Sequence, residues 1–290
     1  MPNAVEPLTA SPHLLEEALA LLAEAEGGPW RPLAGGTDLM VQITGEIGEP
    51  PERLLDIWAL DELRGIRIEG DALVIGALTT YTEIRASPVV AQALPSLADA
   101  AATIGAAQIQ NRGTLGGNVV NASPAGDTLP LLLAVDAEMV LGSTRGERSV
   151  AAADFWPAYR TTARRDDELL LRVRIPLAAN MQVRFRKVGT RRAQAISKVV
   201  MALAWRTDTN GDTWSDVRVA LGSVAATTIR APAAEAALEG ARPTRETASA
   251  AAEALSAEIT PIDDVRSTAD YRRAVAGRVL HRLVRDEGGW

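Results

Sequence analysis

Leu14, Leu15, Ala18, Leu19 and Leu22 recur at helical spacing and predict a helix over 11–26, with Ser11 as its cap and Pro12 at its first position. Short apolar runs at 30–34 and 54–58 predict strands, and 39–43 the start of a short helix capped by Thr37 or Asp38. These elements make a small α/β opening unit. Ile66, Ile68, Leu73, Val74 and Ile75 flank Glu69-Gly70-Asp71, so 65–79 reads as a hairpin. A helical region over about 89–103 follows, then a buried helix at 128–135, a strand at 138–141 and a strong strand at 168–175 ended by Pro176. Beyond Pro176 the pattern changes. Strands are predicted at 183–188, 198–205 and 217–224, then Ala-rich segments at 231–240 and 244–258. The last element is a helix over 270–285, with Tyr271, Val275, Val279 and Leu283 on one face. Strands followed by helices predict a small α+β module packing one sheet face.

The length of 290 residues accommodates two or three domains. No run nears the ~20 apolar residues of a membrane span. Met1-Pro2-Asn3-Ala4-Val5-Glu6 lacks a basic region followed by an apolar one, and the expectation is a soluble cytoplasmic protein. A net charge of −7 argues against general nucleic-acid binding. The Arg-rich stretches at 184–192 and 272–285 are local exceptions, and the second reads as a solvated face. The absence of cysteine excludes disulfides, a thiolate nucleophile and a Cys-ligated iron–sulfur cluster in this chain. His13 and His281 have no partner at metal-ligand spacing, which disfavours a zinc or non-haem iron site and a Ser-His-Asp triad. If the chain is an enzyme, a bound cofactor does the chemistry.

Two glycine loops carry the chemistry that remains. One is Leu33-Ala34-Gly35-Gly36-Thr37-Asp38-Leu39. The other is Asn111-Arg112-Gly113-Thr114-Leu115-Gly116-Gly117-Asn118, running on through Asn121-Ala122-Ser123-Pro124-Ala125-Gly126-Asp127. Both can bring bare backbone N–H groups against one elongated anion such as a dinucleotide pyrophosphate. Taken singly, Gly35-Gly36 reads as a turn before a helix, Gly116-Gly117 as a bend entering a strand, and Asp127 as a helix cap. Neither loop fits G-x-G-x-x-G, and no Gly-Lys-Ser/Thr tripeptide is present. Lys187 and Lys198 are the only lysines among 30 basic residues. A compact ammonium is not replaceable by guanidinium at a tight site, which makes Lys187 a functional candidate against the alternative of a solvated surface charge.

The segment Thr103-Ile104-Gly105 through Asn118, with Asn121 through Asp127, resembles the FAD-binding segment of the molybdenum hydroxylases, the xanthine dehydrogenase and carbon monoxide dehydrogenase family. The resemblance extends to Ala34-Gly35-Gly36-Thr37-Asp38-Leu39, to Phe185-Arg186-Lys187-Val188-Gly189, to Ile196-Ser197-Lys198-Val199 and to Tyr271-Arg272-Arg273. It implies an α+β chain: a two-part FAD-binding domain of the vanillyl-alcohol-oxidase-like (PCMH-type) fold, then a small C-terminal domain with a three-stranded antiparallel sheet and helices. The expected divisions are 1–59, 60–177 and 178–290. The backbone of 33–39 and 114–118 is expected to wrap the FAD pyrophosphate, with Leu33, Ala34, Gly35, Gly36, Asp38 and Leu39 in the first loop and Leu115, Gly116 and Gly117 in the second. Thr37 and Thr114 add hydroxyls and Asn118 an amide. Asp127 binds the adenosine end through a ribose hydroxyl. Ile104 and Leu170 lie near the flavin ring and Lys187 at its polar edge.

The implied function is a non-covalently FAD-loaded medium subunit that takes electrons from [2Fe–2S] clusters on a small subunit and passes them to an external acceptor. Molybdopterin sits on a large subunit, in a dimer of heterotrimers. The arginine-rich segment 184–192 is a candidate subunit interface. Two rivals remain: a free-standing flavoprotein oxidase or dehydrogenase of the same wider fold, and a scaffold that has lost FAD.

Overall fold

The computed structural model describes residues 6–24, 26–45, 49–191, 194–208 and 213–290, and Arg192 of the arginine-rich segment lies outside them. Strands β1 (Leu8–Ala10), β2 (Arg31–Leu33) and β3 (Arg53–Asp56) form a parallel sheet in the order β1-β3-β2, with helices α1 (Leu15–Leu22) and α2 (Thr37–Thr44) between them. Helix α1 begins later than Ser11. The Glu17 carboxylate accepts the N–H groups of His13 and Leu14, so an acid inside the first turn closes the helix start. Neither Thr37 nor Asp38 caps α2. Gly36 does so, at φ +76°, a left-handed geometry glycine adopts without strain.

The second unit is larger. It contains β4 (Ile66–Glu69), β5 (Ala72–Gly76), α3 (Tyr81–Ala86), α4 (Pro88–Ala93), α5 (Pro95–Ala102), α6 (Ala107–Gln110), α7 (Leu115–Asn121), α8 (Leu129–Ala134), β6 (Glu138–Ser143), β7 (Gly146–Ala151), α9 (Ala152–Phe155) and β8 (Leu169–Pro176). Its strands form an antiparallel sheet in the order β4-β5-β8-β6-β7. The helix expected over 89–103 is cut in two because Pro95 has no N–H to continue the ladder and instead opens α5. All six residues of α8 are buried. Each of its four leucines contributes roughly 2 kcal/mol by leaving water, which holds this short helix in the core.

The third unit has β9 (Met181–Val188), β10 (Val199–Thr207), β11 (Trp214–Gly222) and β12 (Ile229–Arg230), then α10 (Pro232–Leu238), α11 (Arg245–Glu258) and α12 (Ala269–Gly288). Its antiparallel sheet has four strands, not the expected three, in the order β12-β11-β10-β9. A two-residue strand leaves no periodic trace in sequence. The C-terminal helices pack one sheet face, as expected, and the other face is covered as well. Val199, Met201, Leu203 and Trp205 face the C-terminal helices, while Ala202, Ala204 and Ala220 join the core of the second unit. Alanine at those alternate positions lets α8 lie close against the sheet.

The entry to β8 is pinned by a buried carboxylate. Arg148 donates Nε and Nη2 to Glu168 at 2.7 and 2.8 Å, and the Arg165 N–H adds a third bond at 2.8 Å. Hydrogen bonds from Arg148 hold the Glu168 carboxyl below its ordinary 4.5, against the opposing effect of burial. A folded-state value below the unfolded one stabilises the protein fully above about pH 4.5 and is lost as pH falls below it. Glu168→Gln should cost about 2 kcal/mol at neutral pH and flatten the acid side of a Tm-against-pH curve. An unchanged acid limb in the variant would assign the acid transition to other groups.

Candidate functional site

The two glycine loops meet. A Cβ on Gly35 would lie 1.7 Å from the Arg112 carbonyl oxygen, so the backbone of the first loop rests directly on that of the second. Arg112 is fixed from its other side, its guanidinium stacked 3.8 Å from the centroid of Trp58. The helices leaving the loops are joined as well: Asn121 Nδ2 donates to Asp38 Oδ1 at 3.1 Å, and Arg160 donates to Asn121 Oδ1 at 3.3 Å. Asp38 is an exposed residue. Even so, the surrounding protein holds its carboxyl above the ordinary range, with Arg160 pulling the other way.

The loops differ in what they offer. In the first, the Leu33 carbonyl accepts Ile57 N–H and the Gly36 carbonyl accepts Met40 N–H. Thr37, Asp38 and Leu39 open α2, and among the described residues no acceptor meets their N–H groups. In the second, the donors are already occupied. Leu115 N–H bonds Thr79 O, Gly116 N–H bonds Ala77 O and Asn118 N–H bonds Thr114 O. The Thr114 hydroxyl accepts Gly117 N–H at 3.0 Å. A Cβ on Gly116 would sit 2.7 Å from Ala77 Cβ and O, so this glycine permits a backbone contact. The first loop presents donors, and the second supports it.

Asn118 leads deeper into the chain. Its Oδ1 accepts the Thr128 hydroxyl at 2.6 Å, leaving the side-chain NH₂ uncommitted among the described residues. Next to Thr128, Asp127 is buried. Lys187 Nζ donates to Asp127 Oδ2 at 2.6 Å and to Thr103 O at 3.0 Å, and the Ser197 hydroxyl donates to Asp127 Oδ1. The Lys187 and Asp127 side chains are only 6% and 8% exposed. Burial pushes the Asp127 carboxyl up, while Lys187 and Ser197 pull it down. Tyr81 lies beneath the second loop with its N–H on Gly113 O, and its buried hydroxyl has no hydrogen-bond partner among the described residues.

A strip therefore runs from the α2 N-terminus through Asn118, Thr128 and Asp127 to Lys187 and Ile104. Two sequence-derived site residues lie off it, Leu115 and Leu170, both buried in the core of the second unit. Ile104 is half-buried at the edge of that core. The ion pair puts Asp127, expected at the adenosine end of FAD, directly against Lys187, expected at the flavin edge. Sequence reasoning gave no role to Ser197, Asn121, Thr128 or Tyr81. Ser197 and Asn121 lie inside the segments that carry the family resemblance, but nothing local marks their long-range partners. Among the described residues, no cluster of His, Asp or Glu could hold a metal ion, and no helix is long and apolar enough to cross a membrane.

Two contiguous parts of the chain match known families. The chain belongs to the family described as FAD binding domain in molybdopterin dehydrogenase, which matches residues 5–178. Residues 184–286 match the CO dehydrogenase flavoprotein C-terminal domain. The chain is 37% identical over 279 residues to the carbon monoxide dehydrogenase medium chain of Hydrogenophaga pseudoflava, covering 94% of each. It is 34% identical over 289 residues to the nicotinate dehydrogenase FAD-subunit of Eubacterium barkeri, covering 96% of this chain and 97% of that one. The solved carbon monoxide dehydrogenase of Hydrogenophaga pseudoflava that lacks the Mo-pyranopterin moiety superposes with a TM-score of 0.90, at 37% identity and 96% coverage of both chains.

Proposed function

We propose that this chain is the FAD-binding, electron-transferring subunit of a molybdenum hydroxylase. The observation that carries the reading is a match over both parts of the chain to flavoprotein subunits, combined with a loop junction built for an anion. The residues fit the cofactor. Gly35 leaves room for close backbone approach, and Thr37, Asp38 and Leu39 offer three N–H groups at a helix start, where the dipole favours negative charge. Leu33, Ala34 and Gly36 shape that turn, with the Thr37 hydroxyl beside it. Gly116 and Gly117 hold the second loop under it, and Asn118 adds its free amide. Thr114 and Leu115 act here as supports, the Thr114 hydroxyl accepting Gly117 N–H and the Leu115 N–H bonding Thr79 O. Ile104 and Lys187 stand at the flavin end, and Asp127 belongs there with Lys187. Bound flavin supplies the redox chemistry; the chain binds it, orients it and sets the charge around it.

The same reading gives the chain a large molybdopterin-binding partner and a small [2Fe–2S] partner, in a dimer of heterotrimers. A chain with no cysteine must receive electrons from clusters held elsewhere, and relatives are named as a medium chain and an FAD-subunit. We divide it as 1–59, 60–177 and 178–290, supported by the three separate sheets. Arg184 is a poor interface candidate, because it pairs with Glu287 within the chain. Denaturing the purified chain should release about one FAD per polypeptide. A colourless chain that takes up no added FAD would instead favour a scaffold, and reduction by a small substrate without partners a free-standing oxidase.

A further inference from the structure

Lys187, Asp127 and Ser197 meet across a seam. Asp127 lies between α7 and α8 in the second unit, whereas Lys187 ends β9 and Ser197 precedes β10 in the third. The two side chains of the ion pair are almost wholly withdrawn from water. The ammonium spends two of its three N–H groups on Asp127 and on Thr103 O, and the second carboxylate oxygen takes the Ser197 hydroxyl.

We propose that Asp127 and Ser197 are positioning residues that present Lys187 to the flavin as one end of a neutral buried pair, not as a free cation, and so hold the flavin's reduction potential down. This rests on the placement of Lys187 at the flavin edge given above. A free ammonium beside the ring stabilises the negative charge gained on reduction and raises the potential. A carboxylate 2.6 Å from that ammonium cancels most of its field at the ring. The cancellation does not depend on where the proton sits. Burial favours the neutral acid at Asp127, and Lys187 favours the carboxylate; with the proton on either side the pair has no net charge. A flavin kept low in potential gives its electrons more readily to an external acceptor, which suits a subunit that only relays them. The hydroxyl of Ser197 keeps the carboxylate turned toward Lys187 and ties the setting to closure of the seam.

The test is spectroelectrochemistry of the FAD-loaded full chain, in mildly acidic buffer so that an unpaired buried lysine keeps its proton. Asp127→Asn should favour the reduced flavin about tenfold, an upward shift of roughly 30 mV for a two-electron couple. Ser197→Ala should move the potential the same way by less. If Asp127→Asn does not fold or load, Ser197→Ala decides alone. A potential unchanged or lowered in the variant that loads overturns the proposal, since a purely structural clasp would alter stability without raising the potential. Failure of the wild-type chain to bind FAD is a different outcome and removes the underlying functional reading.

Discussion

Gly35→Ala is expected to weaken FAD binding about 100-fold, the scale of loss when a binding group is displaced by an ångström or more. The added Cβ would fall 1.7 Å from the Arg112 carbonyl oxygen and 2.5 Å from its carbon, so a backbone segment must move. Gly35 is not held at positive φ, so the effect is steric and not conformational. The loops that part are those that aim the free N–H groups of Thr37, Asp38 and Leu39, so binding suffers more than folding. Overpacking of this kind costs about 1–3 kcal/mol of stability.

Gly116→Ala should be the next most damaging change, with its Cβ 2.7 Å from Ala77 Cβ and O. Gly117→Ala should be the mildest, because it meets only the Thr114 hydroxyl, at 3.0 Å, and a side chain can turn aside. Fluorescence titration of FAD into the three variants checks the order. Gly117→Ala as the worst of the three would mean the loops are not stacked in this way.

How much of this was legible in the sequence depends on the range of each interaction. The strands β4, β5, β8, β9, β10 and β11 were readable because each carries an apolar run bounded by turn residues. The glycine loops were readable because both hold unusual local chemistry. The caps were misread: Ser11 and Thr37 have the right side chains, but Glu17 and Gly36 do the work. The loop contact of Gly35 with Arg112 and the meeting of Asp127, Lys187 and Ser197 join residues 60 or more positions apart. No local pattern encodes such pairings. The scarcity of lysine did single out Lys187, because that argument concerns what the residue type can do and not what it touches.

Helix α12 supplies the other large expected effect. Of the predicted apolar stripe, Val275, Val279 and Leu283 pack half-buried against the core and Tyr271 is exposed, while the centre of the buried face is Arg272, Ala276, Gly277, Leu280 and Val284. Small residues score weakly as hydrophobic, but here they set how close the helices come: a Cβ on Gly277 would lie 2.9 Å from Ser256 Oγ of α11. The arginine-rich stretch 272–285, expected as a solvated face, therefore begins with a buried arginine. Arg272 is 4% exposed. Its Nη1 donates to Ser223 O at 2.7 Å, and its Nη2 to Asp264 Oδ1 at 2.7 Å. Ser223 N–H in turn bonds Pro124 O, three residues before Asp127. Arg272 thus ties the last helix to the back of the site.

Arg272→Ala should cost about 3–5 kcal/mol, since it strands the buried Ser223 carbonyl, empties the space of a buried side chain and leaves Asp264 with only the more exposed Arg266. At 2–4 °C per kcal/mol, Tm should fall by roughly 6–20 °C. Arg282, on the exposed side of the same helix, pairs with Asp286 four residues on. Its replacement by alanine should cost less than about 0.5 kcal/mol. Thermal melts of the two variants, with and without FAD, make the comparison. Because Arg272 acts through Ser223 and Pro124, its loss should also shrink the rise in Tm that FAD gives. An Arg272→Ala chain that melts lower but keeps the full increment from FAD would confine this residue to the C-terminal helices and sever it from the site.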